Sequence, residues 1–211
     1  MKILNLYAGI GGNRKLWGDD HDITAVELNP KIAKIYQDFF PKDKMIVGDA
    51  HQYLLEHFEE YDFIWSSPPC PTHSRARFWG YKNTQPIYPD MTLYQEILLL
   101  KHHHNGKWVV ENTKPYYIPL IPAKELNRHL FWSNFYITSK ATHDGDVRSG
   151  TNKHFEKLFG YDLSPYDNFS TEKYKGSRAK LEILRNCVNP ELGLHILNES
   201  KRDIQGDLFK H

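Results

Sequence analysis

Apolar positions along the chain fall into short runs separated by segments of helical period. "KILNLY" (2–7), "ITAVEL" (23–28), "MIVGD" (45–49), "YDFIWSS" (61–67) and "KWVVEN" (107–112) read as strands. Each is a brief apolar or alternating run, mostly closed by glycine, asparagine or a small polar residue. "KIAKIYQDFF", "AHQYLLEHF" and "TLYQEILLLKHH" repeat apolar residues three and four apart and read as helices between them. This alternation predicts an α/β fold built on a doubly wound, mostly parallel sheet. "AGIGG" (8–12) is a glycine-rich turn, and "NRKLW" (13–17) is expected to open a helix behind it. "LFWSNFYIT" (130–138) closes the regular core, which spans 1–138. Residues 139–180 read as polar and irregular, 181–197 hold a returning helix, and 198–211 form a tail.

Composition narrows the class without choosing a function. A chain of 211 residues holds one full domain, and 40% hydrophobic with 25% charged residues is ordinary for a globular protein. The net charge of +1 neither demands nor excludes a nucleic-acid partner, so any basic surface must be local. Two cysteines, Cys70 and Cys187, make no disulfide framework and suit a reducing cytoplasm. No apolar stretch approaches the ~18 residues that span a membrane, and the first strand begins with no secretory signal ahead of it.

The chemistry-bearing residues gather at strand ends. Gly9, Gly11 and Gly12 follow the first strand, where backbone must approach a ligand or the next element closely. Glu27 ends the second strand and Asp49 the third, at the carboxyl edge where open α/β sheets bind ligands. Either acid alone is an ordinary solvated strand end. In order after a glycine turn, they suit a nucleoside: one for ribose hydroxyls, one for an adenine amino group. No lysine follows the glycine turn, which argues against a phosphate-gripping loop. Cys70 and Glu111 end the fourth and fifth strands. A cysteine there can attack an electron-poor carbon while a carboxyl group handles a proton. The thiol needs a polar, electropositive setting, for which His73, Arg75 and Arg77 are candidates. A structural cysteine in a proline turn is the plainer alternative, outweighed by the pairing with Glu111.

The ordered blocks "LYAGIGG", "AVELNP", "VGDA", "SSPPCPTHS", "ENTKP", "RHLFWSNF" and "LRNCVNPELGLHI" resemble the DNA cytosine-5 methyltransferases over 3–138 and 181–197. The resemblance implies S-adenosylmethionine as cofactor, no metal, and a sheet with one antiparallel strand near its edge. Tyr7 would pack on the adenine, Glu27 hold the ribose and Asp49 the adenine amino group. Ala8, Gly9, Gly11 and Gly12 would line the cofactor from the first turn. Leu28, Ala50 and Pro69 would join from later strand ends, with Asn186 and Val188 from the returning segment. Cys70 would add to C6 of a flipped cytosine, Glu111 would act at N3, and Arg128 would contact the base. The chain departs from the family pattern at Asn5 (an acid is usual), Pro71 (Gln), Thr113 (Val) and Arg185 (Gly), and His129 stands in for a second arginine.

A large recognition region is missing. Residues 139–180 offer Arg148, Lys153, Lys173, Lys175, Arg178 and Lys180, with tyrosine and phenylalanine interleaved, suited to phosphate contact. The resemblance makes double-stranded DNA the expected partner, touched also by Ser74, Arg75 and Arg77, although the basic stretch by itself suits RNA equally. Phe78, Trp79, Tyr81 and Lys82 add aromatics that can wedge beside an emptied base position. A solvated connection, with recognition left to a partner, stands beside that reading of 139–180. The tail "DIQGDLF" resembles peptides that dock on a bacterial sliding clamp, through Gln205, Leu208 and Phe209, so the chain would be bacterial or phage-encoded. A frayed end is the plainer account of it. A tRNA cytosine-5 methyltransferase and a non-catalytic module that binds cofactor or DNA remain alternatives. An adenine amino-methyltransferase is disfavoured, because Cys70 stands where a stacking aromatic would follow "SPP".

Overall fold

The computed structural model describes residues 1–75, 78, 85, 87–145, 148–171 and 173–202. Arg77, Trp79, Tyr81 and Lys82, and Gln205, Leu208 and Phe209 of the tail, lie outside the described residues.

Seven strands make one sheet in the order β3-β2-β1-β4-β5-β7-β6. They are β1 (Lys2–Leu6), β2 (Asp22–Glu27), β3 (Lys44–Val47), β4 (Phe63–Ser66), β5 (Lys107–Thr113), β6 (Lys124–Leu126) and β7 (His129–Ser133). The first five run parallel, and β7 pairs antiparallel with both β5 and β6. One antiparallel strand near the edge is the arrangement expected. β6 was not: three residues between polar loops carry too short a pattern to read.

Alternation along the strands sends side chains to two covered faces. Leu4, Leu6, Ile64 and Val110 pack with Leu54 of α2 (Ala50–His57) and with Leu93, Ile97 and Leu100 of α3 (Thr92–His103). Ile3, Phe63, Trp65, Val109 and Phe131 pack on the other face with Leu192, Ile196 and Leu197 of α6 (Pro190–Ser200). Helix starts are local in origin. Asn29 caps α1 (Pro30–Phe39) and Asn189 caps α6, each followed by a proline already bent for the first helical position.

Residues 13–17 form successive turns and no helix. The side chains override the backbone there. Arg14 is buried on Asp43 through Nε (2.8 Å) and Nη2 (3.0 Å), and Trp17 is drawn between Phe63 and Trp65. The apolar run over 130–138 that closes the core is strand only as far as Ser133, because Asn134 turns back to bond Trp108 N (3.0 Å) and Gly106 O (2.8 Å).

The greater departure concerns 139–180. This segment contains α4 (Asn152–Phe159) and the start of α5 (Ser177–Arg185), and α6 follows as a separate helix. Phe155, Phe159, Tyr161, Leu163 and Phe169 form a third apolar cluster with Ile10 and Ile35 of the core and Ile183 and Leu184 of α5. The segment borrows core surface that it could not supply alone. Replacing Phe155 with alanine should therefore cost about 3–5 kcal/mol. Urea unfolding of Phe155→Ala checks this, and an unchanged midpoint would return 139–180 to a solvated connection.

Candidate active site

The carboxyl ends of β1, β4 and β5 set the frame. β1 and β4 lie side by side while their connections lead in opposite directions, which opens a crevice at that edge. Tyr7, just past β1, has φ +55, a left-handed conformation that costs a non-glycine residue about 1–2 kcal/mol. Gly9 repeats it at φ +55, and a Cβ there would meet nothing within 4 Å among the described residues, so the turn leaves open space beside it. Gly9 N donates to Glu27 Oε2 (3.0 Å) and Asn29 N to Oε1 (2.9 Å). Burial pushes the Glu27 carboxyl upward, and backbone N–H groups of Asn29, Gly9 and Leu28 offset part of that rise. A carboxylate has about four lone-pair directions, so Glu27 retains capacity for a ribose hydroxyl. Leu28 beside it is 69% exposed. Asp49 accepts from Gln52 N (3.0 Å) as the cap of α2, and Ala50 is buried behind it. Open backbone, a spare acceptor and an exposed apolar side chain together fit the nucleoside end of S-adenosylmethionine.

Gly11 and Gly12 serve packing instead. A Cβ on Gly11 would stand 2.4 Å from the Phe40 ring, and one on Gly12 would stand 2.6 Å from Val188 O. The returning segment thus lies directly on the glycine turn. Asn5 pairs reciprocally with Asn13, through Asn13 Nδ2 to Asn5 Oδ1 (2.8 Å), so a neutral amide pair holds the start of the turn.

Cys70 lies where the chain leaves β4. Asn112, on β5, donates through Nδ2 to Pro68 O (2.9 Å) and so fixes the turn of Pro68, Pro69 and Cys70 to the neighbouring strand. The Cys70 carbonyl accepts from His73 N (3.0 Å) and Ser74 N (2.9 Å), and Ser74 bridges to Pro115. The start of the loop is thereby stitched to the chain that follows β5. Burial raises the Cys70 thiol, the Glu111 charge raises it further, and Thr113 and Arg128 act in the opposite direction. His73 does not supply the expected positive charge: it is buried against Tyr117 Oη (2.5 Å), and burial pushes its ring toward the neutral form. Arg128 does supply one.

Glu111 is buried, with Oε1 2.5 Å from His129 Nδ1. Burial would raise its carboxyl, but the charge and hydrogen bond of His129, with Ser67 and Arg128, outweigh burial and hold it low. Arg128 Nη2 donates to the carbonyls of Arg185 (3.0 Å) and Cys187 (3.1 Å), tying the returning segment to this corner. Arg128 Nε and His129 Nε2 are buried here without a hydrogen-bond partner among the described residues. Unpaired buried donors this close together are uncommon and suit a polar ligand. Sequence reasoning named Arg128 and overlooked the roles of His129 and Thr113, whose register opposite each other on β5 and β7 is a tertiary fact.

Lys173, Lys175 and Arg178 are exposed, whereas Lys180 is buried on Asp167 (2.6 Å) and Leu163 O (3.1 Å) and is no phosphate ligand. Lys173 and Arg178 line a cavity of about 410 Å³ with Tyr174, Arg185 and Asn186.

The family model for C-5 cytosine-specific DNA methylase matches residues 1–114. The chain belongs to that family. Its cofactor is accordingly S-adenosylmethionine. Two curated relatives are tRNA (cytosine(38)-C(5))-methyltransferases. That of Spodoptera frugiperda is 31% identical over 35% of this chain and 24% of its own length. That of Mus musculus is 28% identical over 38% of this chain and 21% of its own. This chain thus spans about a quarter of those relatives or less. A solved Entamoeba histolytica methyltransferase shares the fold at a TM-score of 0.56 and 10% identity, over 95% of this chain and 97% of that one. Among the described residues, no helix is long and apolar enough to cross a membrane.

Two measurements test the electrostatics. Glu111→Gln removes a charge that raises the thiol, so alkylation of Cys70 at pH 8 should speed up, by up to about tenfold for one pKa unit. Peptide mass spectrometry separates Cys70 from Cys187, whose thiol burial pushes up to about 12; an unchanged or slower rate contradicts the coupling. The folded Glu111 carboxyl lies below its ordinary 4.5, so its stabilisation is present above 4.5 and lost as pH falls through the folded value. Acid unfolding of Glu111→Gln should show a shallower loss than wild type over that range.

Proposed function

We propose that this chain is a nucleic-acid cytosine-5 methyltransferase that works through a covalent Cys70 adduct and takes tRNA as its substrate. The cluster of unpartnered donors beside Cys70 and Glu111 carries the chemical part of this reading. Bound S-adenosylmethionine supplies a methyl group on an electron-poor sulfur. The protein's residues make the other reactant, a nucleophilic C5.

At rest, Cys70 holds its proton and Glu111 is ionised, each state favouring the other. With cytosine in the pocket, the reactive arrangement has the proton at Glu111 facing N3 and the charge on Cys70 Sγ. Removing the Glu111 charge lowers the thiol, and Thr113 Oγ1 is placed to donate to the thiolate. Sγ then bonds to C6, electron density moves to C5, and N3 takes the proton from Glu111. After C5 has gained its methyl group, N3 returns its proton to Glu111 and a solvent water takes the C5 proton. The electron pair of the C5–H bond closes the C5–C6 double bond as the Sγ–C6 bond breaks and frees Cys70 as the thiolate, which regains its proton from Glu111. Arg128 Nε and His129 Nε2 are the nearby donors for the polar edge of the base.

Both curated relatives act on tRNA, which supports RNA over the DNA expected from the motifs. Duplex DNA is the second reading, favoured by the description of the matching family. Exposed Lys173, Lys175 and Arg178, with Ser74 and Arg75 at the start of the catalytic loop, serve phosphate contact in either case. Docking on a sliding clamp through Gln205, Leu208 and Phe209 remains a separate proposal.

Incubation of a tRNA pool and a mixed-sequence duplex with S-adenosylmethionine, read by nucleoside mass spectrometry, tests this function. Cys70-dependent 5-methylcytosine in tRNA is expected, with product at least 10³-fold lower in Cys70→Ala, on the order of losing a nucleophile. Product in DNA alone moves the assignment to the second reading. Bound cofactor with product in neither overturns the enzymatic reading in favour of a binding module.

A further inference from the structure

Glu96, on α3, is fully buried and belongs to none of the groups assigned above. Its carboxylate accepts from Tyr7 Oη (2.6 Å) and Ser66 Oγ (2.5 Å), and His51 Nδ1 lies 3.0 Å away. These partners come from the three elements that wall the crevice: the end of β1, the end of β4 and the first turn of α2. Other buried carboxylates bind an arginine or stay within one corner of the fold, as Asp43 does with Arg14 and Glu199 with Arg202. Glu96 instead has hydroxyls and one imidazole at the rim. It sits beneath the left-handed Tyr7, which precedes the open backbone at Gly9, and beside the turn that Asp49 caps.

A strained residue persists where its surroundings over-determine it, and such residues gather at ligand sites. We propose that Glu96 is the positioning residue of the cofactor pocket: it holds the Tyr7 ring and the first turn of α2 in the geometry that receives the nucleoside of S-adenosylmethionine. The proposal rests on the cofactor assignment and is independent of which nucleic acid is methylated. Glu96 does not touch the cofactor; it acts through Tyr7 and His51. Ser66, four residues before Cys70, brings the catalytic half of the sheet to the same anchor.

Titration calorimetry with S-adenosylhomocysteine, alongside thermal unfolding, tests it on the full chain. Glu96→Gln should raise Kd about tenfold while remaining folded, and Tyr7→Phe, which removes one hydroxyl, should raise it several-fold. Tyr7→Phe combined with Glu96→Gln should bind little worse than Glu96→Gln alone, since both break one linkage. His51→Asn, which keeps a donor near the Nδ1 position, should bind more tightly than His51→Leu. Unchanged affinity in folded Glu96→Gln, or additive losses in the double variant, overturns the proposal. Should Glu96→Gln not fold, unchanged affinity in Tyr7→Phe overturns it equally. Absence of binding by the wild type would remove the cofactor assignment and this proposal with it, an outcome distinct from tight binding that Glu96 does not influence.

Discussion

Parallel pairing of β1 with β4 is the constraint on which the rest of this protein depends. A parallel pair cannot be closed by a hairpin, so each strand must send its chain out at the carboxyl edge and return it by a crossover. From β1 the chain turns toward β2 and β3; from β4 it goes toward β5. The two departures part company and leave a crevice with backbone on both sides. Every group with chemical potential stands at that edge: Gly9 and Glu27 on one flank, Cys70 and Glu111 on the other.

The two flanks solve different electrostatic problems. On the cofactor flank, the carboxylates face backbone N–H groups, hydroxyls and the single imidazole of His51. On the catalytic flank, charges are packed closely in a buried corner, and each sets the state of its neighbours. Glu111 stays low because His129 and Arg128 outweigh its burial; Cys70 stays high because it is buried and Glu111 is near. A thiol kept protonated until a base arrives is protected from stray alkylation and oxidation. On the proposed mechanism, the cost is that Cys70 and Glu111 must exchange a proton when substrate binds.

The region between β7 and α6 shows how a short insertion becomes structural. It does not build a domain; it lays Phe155 and Phe159 on α1 and α5 and shares their core. That packing brings Cys187 and Val188 back over the glycine turn, and Arg128 bolts the junction from the sheet side. The exposed Lys173 and Arg178 line a cavity with Tyr174, Arg185 and Asn186 on that frame.

Apolar period and turn residues alone were enough to identify five parallel strands and three helices, because each of those patterns is a local property of consecutive residues. The ends of the strands followed from the same reading, and with them Glu27, Asp49, Cys70 and Glu111, since a residue that ends a parallel strand has its edge assigned by topology. Side chains that leave their own segment were not legible. Arg14 abandons a helix for a buried aspartate, Lys180 is spent on Asp167, and α4 forms because α1 offers it a surface. Nor did sequence show that His129 meets Glu111 or that Glu96 gathers Tyr7, His51 and Ser66, partners 18 to 89 residues apart. The sequence by itself determined which candidate residues stand at the carboxyl edge of the sheet; the tertiary structure decided their charge states and anchors, because burial and contact distance set both.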